Sequence, residues 1–533
     1  MTIRKLFRKL NFREIIPILL LLPFFAVIYK LYIPHVNSFG CFDDCFNFIG
    51  GYFIGNGKTI YHDFFFNHQL LPTFVSFLIQ VATNPQNIYE LVLRHRQFVI
   101  LWSFLFSILL TKRFKLPAFL FVIIFELSKF YIFGDRFLAE ALIVYPIIYL
   151  AGISLAKIQK PKANPQPLTP IDYQLSALFS WFIIFSREPY IPLAIFLTIV
   201  VFWGKITKEK KIAALIFALL TLLTFALFKF DFQEYWFNLV TFNFIAVLPA
   251  DITTSMPGPR LAQAFLYPFY VFPYGNWNIF KVLLAGIDIT FIILFANLIR
   301  KKNYQIAGLI FLLLGLANLR VIVPGTLFYA AFHMIIWYAL FVFTTCFLLF
   351  QIKPPRRLFF GLLTILVISV IGLLSNKSYF GYERVDQQKD LLQNYGTVIQ
   401  EGNVINALAK PGNTLFLDDS DDLIFWQSKL MSNYKYVWYT SQMPAFTKYT
   451  STRLEMFKTN PPDFYREFGT CGKSIEDNSD LSLPDFAKNE YVRLYNLNRP
   501  SCLFIKKDII NKISPEQWLK AKSFLYGLKP IPE

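Results

Sequence analysis

Apolar runs dominate the first 375 residues of the chain, and short polar segments separate them. Most runs approach the roughly 20 residues that an α-helix needs to cross the hydrocarbon core of a bilayer. The pattern therefore predicts an all-α polytopic membrane bundle of about eleven transmembrane helices. The predicted spans cover residues 15–33, 96–111, 116–133, 137–156, 174–187, 189–204, 211–230, 281–299, 304–322, 327–350 and 357–375.

Lys and Arg residues are clustered between these runs, at 4–13, 112–115, 157–162, 205–211, 300–302 and 353–357. Such clusters are typical of cytoplasmic loops. They predict a cytoplasmic N-terminus and place loops 34–95 and 231–280, together with everything after Ser375, on the extracytoplasmic side. The apolar stretch 70–82 is too short to span, so we expect an interfacial helix there. The basic start and the first apolar run resemble a signal peptide, but the run lacks a small-residue cleavage site, so we expect an uncleaved first helix.

The last part of the chain changes character, which predicts two domains. Residues 1–375 form the membrane domain, and residues 376–533 contain more charge, more turn residues and short alternating segments. The segments 414–419, 435–440 and 501–507 are typical of strands, and 421–430 is typical of a helix. We therefore expect a small extracytoplasmic α/β domain at the C-terminus.

Composition agrees with a membrane protein and excludes an ordinary soluble chain. Of the 533 residues, 55% are hydrophobic and only 16% are charged. The net charge of +18 follows the loop clusters rather than one continuous face, so we expect no nucleic acid partner. Four of the five cysteines lie in the predicted outer segments, where one or two disulfides and free thiols are both open alternatives: Cys41, Cys45, Cys471 and Cys502. Cys346 lies inside an apolar run.

The first outer loop contains the densest group of residues that could perform chemistry. The sequence C-F-D-D-C at 41–45 places Asp43 and Asp44 within about ten residues of the first span. The segment GGYFIGNGKTIYHDFFFNHQLLP at 50–72 follows, with a glycine turn, an aromatic residue, Asp63 and a proline that begins the next apolar stretch. The simpler alternative is that these acids are solvated loop residues.

This arrangement resembles the first luminal loop of the glycosyltransferase C superfamily, in the branch of protein O-mannosyltransferases and lipid A aminoarabinose transferases. The resemblance implies that Asp43 or Asp44 is the catalytic carboxylate and that Asp63 matches the second acid of the family. The family often has Asp-Glu and Pro-Pro where this chain has Asp-Asp and Leu-Pro. The sequence therefore leaves open which aspartate is the base.

Cations are expected on the same side of the membrane. The segments GDRFLAE at 134–140 and FSREPY at 185–190 are similar to family segments near the carrier phosphate. The resemblance implies that Arg136 and Arg187 bind the donor phosphate and that Glu140 orients one of them. The alternatives are an i, i+4 ion pair between Arg136 and Glu140 and a helix-end position for Arg187.

Two further polar residues lie at the ends of predicted spans. Arg320 is a candidate for binding the donor phosphate, and His333 is a second candidate because polar groups at membrane depth usually face a cavity. A histidine that is hydrogen-bonded between helices is the alternative for His333. Glu126 and Lys129 lie within a span and are either a buried pair or part of a path for the lipid carrier.

A divalent metal ion is a further expectation for the first outer loop, although no cofactor is required. His62 and His68 flank Asp63, and imidazole and carboxylate groups are suitable ligands for such an ion. An ordinary loop at headgroup depth would contain the same residues.

These expectations combine into one functional hypothesis. A sugar moves, with inversion, from a polyprenyl-phosphate donor to a hydroxyl of a protein, lipid or glycan acceptor, on the outer face of the plasma (inner) membrane. A phosphate-linked sugar already has a good leaving group, so the enzyme needs a base and cations. The alternatives are a transporter or flippase of lipid-linked glycans, and a ligase that uses another lipid-phosphate donor. The sequence contains no nucleotide-binding glycine loop and no Gly-x-Ser-x-Gly elbow.

Overall fold

A computed structural model describes most of the chain. The described residues are 12–38, 40, 43–158, 168–247, 279–319, 331–351, 354–375, 386–418, 422–437, 443–467, 482–497 and 499–530.

Helices account for most of these residues. In chain order they are α1 (Phe12–Tyr32), α2 (Asp43–Gly55), α3 (Leu70–Thr83), α4 (Ile88–Phe114), α5 (Leu116–Ser128), α6 (Ala139–Ile158), α7 (Pro170–Ile184), α8 (Ile191–Phe202), α9 (Lys208–Leu227), α10 (Phe232–Trp236), α11 (Ile279–Arg300), α12 (Tyr304–Ala317), α13 (Ile335–Gln351), α14 (Arg356–Ser375), α15 (Gln387–Leu408), α16 (Leu423–Ser428), α17 (Thr447–Thr459), α18 (Lys507–Ile510) and α19 (Pro515–Phe524). The strands are β1 (Leu415–Leu417), β2 (Phe464–Arg466), β3 (Tyr491–Asn496), β4 (Arg499–Lys506) and β5 (Leu528–Pro530).

Within the described ranges, seven helices are long and apolar enough to cross a membrane: α1, α4, α6, α9, α11, α13 and α14. The predicted spans 116–133, 174–187, 189–204 and 304–322 contain the shorter helices α5, α7, α8 and α12, of 13, 15, 12 and 14 residues. The chain is therefore a helical membrane protein with a small C-terminal sheet. Eleven crossings remain a prediction.

The chain forms two compact units, and their boundaries do not follow the single boundary predicted at residue 375. The first unit contains Met1–Val36, His95–Thr224 and Asp251–Val385, as far as these are described. Helices α6 and α13 are almost entirely buried in it, whereas α1, α9 and α14 expose most of their apolar side chains. Apolar side chains exposed along a whole helix are what a lipid-facing helix requires.

The second unit combines three separate segments, Asn37–Arg94, Phe225–Ala250 and Asp386–Glu533. The predicted interfacial stretch is α3, which packs against α2 within this unit.

A mixed sheet forms one part of the second unit. Its strand order is β1-β2-β4-β3-β5, with β1 parallel to β2 and the other pairs antiparallel. Strand β1 lies within the predicted strand 414–419, β4 overlaps 501–507, and α16 lies within the predicted helix 421–430. The predicted strand 435–440 is wrong where it is described, because residues 435–437 have no strand structure.

Candidate functional site

The acidic pair lies in the first turn of α2, where the helix dipole favours negative charge. Asp44 is 1% exposed, whereas the Asp43 side chain is 27% exposed. Oδ2 of Asp43 lies 3.9 Å from Nε2 of His68. The Asn47 side chain, one turn later, donates to the Asp43 carbonyl at 3.2 Å and accepts from the Thr73 hydroxyl at 3.0 Å. The structure thus connects the start of α2 to α3.

Asp63 lies in the turn that precedes α3, and local groups hold its carboxylate. The Thr59 N–H donates to Oδ2 at 2.7 Å, and Nδ1 of His62 lies 2.7 Å from Oδ1. Partial burial raises the pKa of Asp63, but the hydrogen bonds from Thr59 and His62 and the charge of Lys229 outweigh burial and leave that pKa below its ordinary value. Asp63 is therefore a weak base that stays ionised.

The structure does not support the predicted metal site. Among the described residues, no three His, Cys, Asp or Glu side chains are grouped to hold a metal ion. The His62 ring pairs with Asp63, while the His68 ring lies near Asp43. The two histidines thus have different carboxylate partners, although they flank Asp63 in sequence.

Helix α15 of the tail holds the chain just before the acidic pair. The Asn37 side chain donates to the Gln387 carbonyl at 3.1 Å, and the Asn394 side chain donates to the Asn37 carbonyl at 2.8 Å. The Ser38 hydroxyl donates to Asp390 at 3.3 Å. These contacts fix residues 37–38, a few residues before α2 begins.

The tail also holds the far ends of α2 and α3. The Trp426 indole N–H donates to the Gln80 side chain at 3.1 Å, and Gln80 donates to the Phe48 carbonyl at 2.7 Å. The Phe53 and Phe425 rings meet edge to face at 5.3 Å. The sequence did not identify Trp426, Gln80 or Asn394, because hydrogen bonds across hundreds of residues leave no local pattern.

The predicted phosphate-binding residues lie in the first unit. Arg187 donates from Nε to Glu140 at 3.0 Å, and both side chains are buried. Arg136 is also buried, and its guanidinium carbon lies 5.2 Å from the centre of the Phe133 ring. Glu140 is thus positioned to orient Arg187, which is 47 residues away in sequence.

Two further ion pairs in the first unit surround the turn that contains Arg136. Arg96 donates to Asp135 at 3.2 Å, and Lys129 lies 2.8 Å from Glu126, with all four side chains buried. The Gly134 N–H donates to the Lys129 carbonyl at 2.8 Å, so the two pairs hold opposite ends of one short turn. The sequence identified Glu126 and Lys129, but it did not identify the pair that flanks Arg136 directly.

The two remaining candidates have different outcomes. His333 is half-buried, and its carbonyl accepts a hydrogen bond from Tyr190 at 3.2 Å. Its ring lies edge to face against Phe332, with the centres 4.1 Å apart. Arg320 lies outside the described residues.

The described cysteines are disulfide-bonded in the second unit and free in the first unit. Cys45 in α2 and Cys502 in β4 are each part of a disulfide, and both belong to the second unit. Cys346 in α13 is a buried free thiol of the first unit. The alternative of free thiols is therefore wrong for Cys45 and Cys502.

No protein-family profile matches the chain, and no curated protein matches it in sequence.

Proposed function

We propose that the protein is a membrane glycosyltransferase that transfers a sugar, with inversion, from a polyprenyl-phosphate donor to an acceptor hydroxyl on the extracytoplasmic face of the plasma (inner) membrane. One observation carries the proposal. The acidic pair that follows the first candidate span starts helix α2 of the second unit, within a loop whose order of motifs resembles the glycosyltransferase C superfamily.

The environment of the three acids favours Asp43 as the general base. Asp43 is partly exposed, so an acceptor hydroxyl can approach its carboxylate. Asp44 is almost completely buried, so an acceptor cannot reach it. The hydrogen bonds that Asp63 accepts lower the pKa of Asp63 and make this carboxylate a weaker base. We assign to Asp44 and Asp63 the role of holding the loop.

The buried arginines supply the charge that a departing phosphate needs. Arginine remains protonated at any physiological pH and can form two parallel hydrogen bonds with a phosphate. Glu140 accepts the hydrogen bond from Nε of Arg187. In this proposal, Arg136 and Arg187 supply the positive charge at the donor phosphate, and Glu140 orients Arg187.

The cysteines support the proposed orientation. Disulfides persist in oxidising compartments and are rare in the cytosol. Those of Cys45 and Cys502 therefore favour an extracytoplasmic second unit, as the basic clusters do.

The test uses the full-length protein in proteoliposomes with a radiolabelled polyprenyl-phosphate hexose and a panel of protein, lipid and glycan acceptors. We expect Asp43→Asn to lower the rate of sugar transfer about 100-fold or more, because it removes the base. Arg187→Gln should lower both kcat and kcat/KM for the donor, because the phosphate gains negative charge as it departs. Asp508→Asn, at an exposed position of the tail, is the matched control.

Two outcomes would overturn the proposal. The first is full activity in both Asp43→Asn and Asp44→Asn. The second is label that crosses the bilayer without a new glycosidic bond, which would identify a transporter of lipid-linked glycans.

A further inference from the structure

Two candidate spans of the first unit, α1 and α4, enclose a groove with a volume of about 270 Å³. The apolar part of its lining is formed by Leu22, Phe25, Ile100, Leu101 and Phe104. Tyr29 and Gln97 complete the lining. All of these residues belong to the first unit. We call this cavity the α1–α4 groove.

The α1–α4 groove has a buried floor and an open side. Phe25 and Ile100 are 6% and 7% exposed and form the floor. The Phe25 and Phe104 rings meet edge to face at 5.3 Å and join the two helices there. Leu22 and Leu101 are 58% and 53% exposed and form the rims. Because α1 and α4 are long and apolar enough to cross a membrane, the open side suits hydrocarbon rather than water.

The polar residues of the described lining lie together at one end of the groove. The Gln97 side-chain amide donates to the Tyr29 hydroxyl at 2.9 Å. Leu22 lies seven residues before Tyr29 in α1, a distance of about 10 Å along the helix. A groove that is apolar over about 10 Å and ends in an amide and a hydroxyl fits a hydrocarbon chain whose polar head lies at that end.

This polar end lies on the same side of the first unit as the residues that we assign to the donor phosphate. Arg96 directly precedes Gln97 in α4 and donates to Asp135 at 3.2 Å. Asp135 directly precedes Arg136, and all three charged side chains are buried. A lipid whose phosphate lies at Arg136 can therefore place the first part of its chain in the α1–α4 groove.

We propose that the α1–α4 groove binds the part of the donor's prenyl chain that is nearest the phosphate. The inference deepens the proposed function and rests on it. The headgroup of a bulk phospholipid stays among other headgroups in water. The donor phosphate, in contrast, enters the buried turn that contains Arg136, and its chain must leave the protein from there.

The groove favours the chain through packing. Lipid tails are as apolar as the groove, so the chain gains no hydrophobic free energy by moving from the bilayer into it. The fixed floor of Phe25, Ile100 and Phe104 supplies van der Waals contacts instead. Such contacts are the same in the ground state and in the transition state, so losing them should raise KM for the donor at constant kcat.

The first test fills the groove in the full-length protein. Leu22→Trp with Leu101→Trp adds bulk at both rims, where the side chains are exposed and the fold can tolerate it. We expect KM for a long-chain polyprenyl-phosphate hexose to rise about tenfold relative to KM for a donor with a short prenyl group, because overpacking excludes only the long chain. Leu215→Trp with Leu219→Trp, at exposed positions of α9, is the matched control and should leave this ratio unchanged.

The second test uses the unsubstituted protein and needs no sugar transfer. A polyprenyl phosphate without sugar carries a diazirine near the phosphate end of its chain and is activated by light in proteoliposomes. We expect adducts in peptides from residues 22–29 and 97–104, located by mass spectrometry. Unlabelled polyprenyl phosphate should compete for this labelling, whereas phosphatidylglycerol should not.

Three outcomes would overturn the inference. The groove-filling variant could show the same ratio of KM values as the parent. The adducts could lie outside α1 and α4. Phosphatidylglycerol could compete as well as polyprenyl phosphate, which would show that the groove accepts any lipid tail. Failure of the proposed function has a different signature: neither donor supports transfer by the unsubstituted protein, whatever the labelling shows.

Discussion

Asp418 and Arg453 form a buried ion pair in the tail, and its two members should not be equally replaceable. Asp418 directly follows β1 and is fully buried. It accepts hydrogen bonds from Arg453, from the Tyr465 hydroxyl at 2.7 Å and from the Tyr449 hydroxyl at 3.3 Å. Arg453 also donates to the Ser482 carbonyl at 2.9 Å.

Removing one partner of such a pair costs about 3–5 kcal/mol, because the other charge stays buried without compensation. Asp418→Asn leaves a guanidinium that cannot lose its proton, so we place this variant at the upper end of that range. Arg453→Gln leaves a carboxyl that can take up a proton. Burial already raises the pKa of Asp418 in the intact pair, with Arg453 opposing it, and losing Arg453 raises that pKa further.

The pH dependence follows from the sign of this shift. A carboxyl whose pKa is higher in the folded state than in the unfolded state binds a proton on folding, so its contribution is favourable at low pH and is lost as pH rises through the folded pKa. The stability gap between Arg453→Gln and the parent protein should therefore narrow as pH falls from about 8 to about 5. The gap for Asp418→Asn should not narrow over this range, because this variant has no carboxyl at position 418 that could take up a proton.

Thermal unfolding of the full-length protein in detergent, followed by tryptophan fluorescence, measures both effects. A loss of 3–5 kcal/mol in a unit of this size lowers Tm by about 10 °C. Asp485→Asn is the matched control, because Asp485 and Lys488 form an exposed ion pair that water screens, so little of the stability depends on it. The reasoning is refuted if both tail variants melt within about 2 °C of the parent, or if Arg453→Gln is the less stable variant at every pH.

Three further predictions concern the two units. Gly51→Ala should destabilise the second unit by about 1–3 kcal/mol, because a Cβ would lie 2.7 Å from the Phe77 backbone nitrogen; Gly55→Ala, with at least 3.6 Å of space, should be tolerated, and the same Tm assay compares them. Glu140→Gln and Arg187→Gln should each lower Tm, and the double variant should lower Tm by less than the sum of the two single shifts, because both substitutions remove the same buried contact. A double shift equal to that sum would contradict this. Asn394→Ala should lower kcat for sugar transfer several-fold while KM for the donor stays constant, because it releases residue 37 ahead of the acidic pair; a change in the donor KM alone would argue against this role.

The apolar helices could be predicted because a bilayer imposes a length and a hydrophobicity that are visible in any apolar run. Each predicted run contains a helix within the described residues. The tail was harder to predict. The alternating aromatics at 435–440 resemble a strand, yet Tyr436 packs against Phe65 and Phe237 from the two loops instead of pairing in the sheet. Burial against distant segments produced the pattern that a strand would also produce.

The candidate site was likewise predicted only in part from the sequence. The sequence placed Asp43 and Asp44 just after the first predicted span, and the resemblance marked Arg136, Glu140 and Arg187 as residues near the donor phosphate. The sequence could not show that Arg187 pairs with Glu140, that His62 and His68 turn to different carboxylates, or that α15 holds the approach to α2. These are contacts between segments that are far apart in the chain, and they depend on the tertiary fold.

The three-segment construction of the second unit also affects how the protein is made. Residues 37–94 leave the ribosome about 300 residues before the start of the tail that holds them, which at ordinary rates of synthesis is a delay of about 15–60 s. During that interval Phe53 and Gln80 cannot contact Phe425 and Trp426, which have not yet been synthesised. The nascent chain therefore cannot complete the second unit until the tail has followed the last candidate span. Helix α2, which begins with Asp43 and Asp44, therefore reaches its final packing only after the tail has been synthesised.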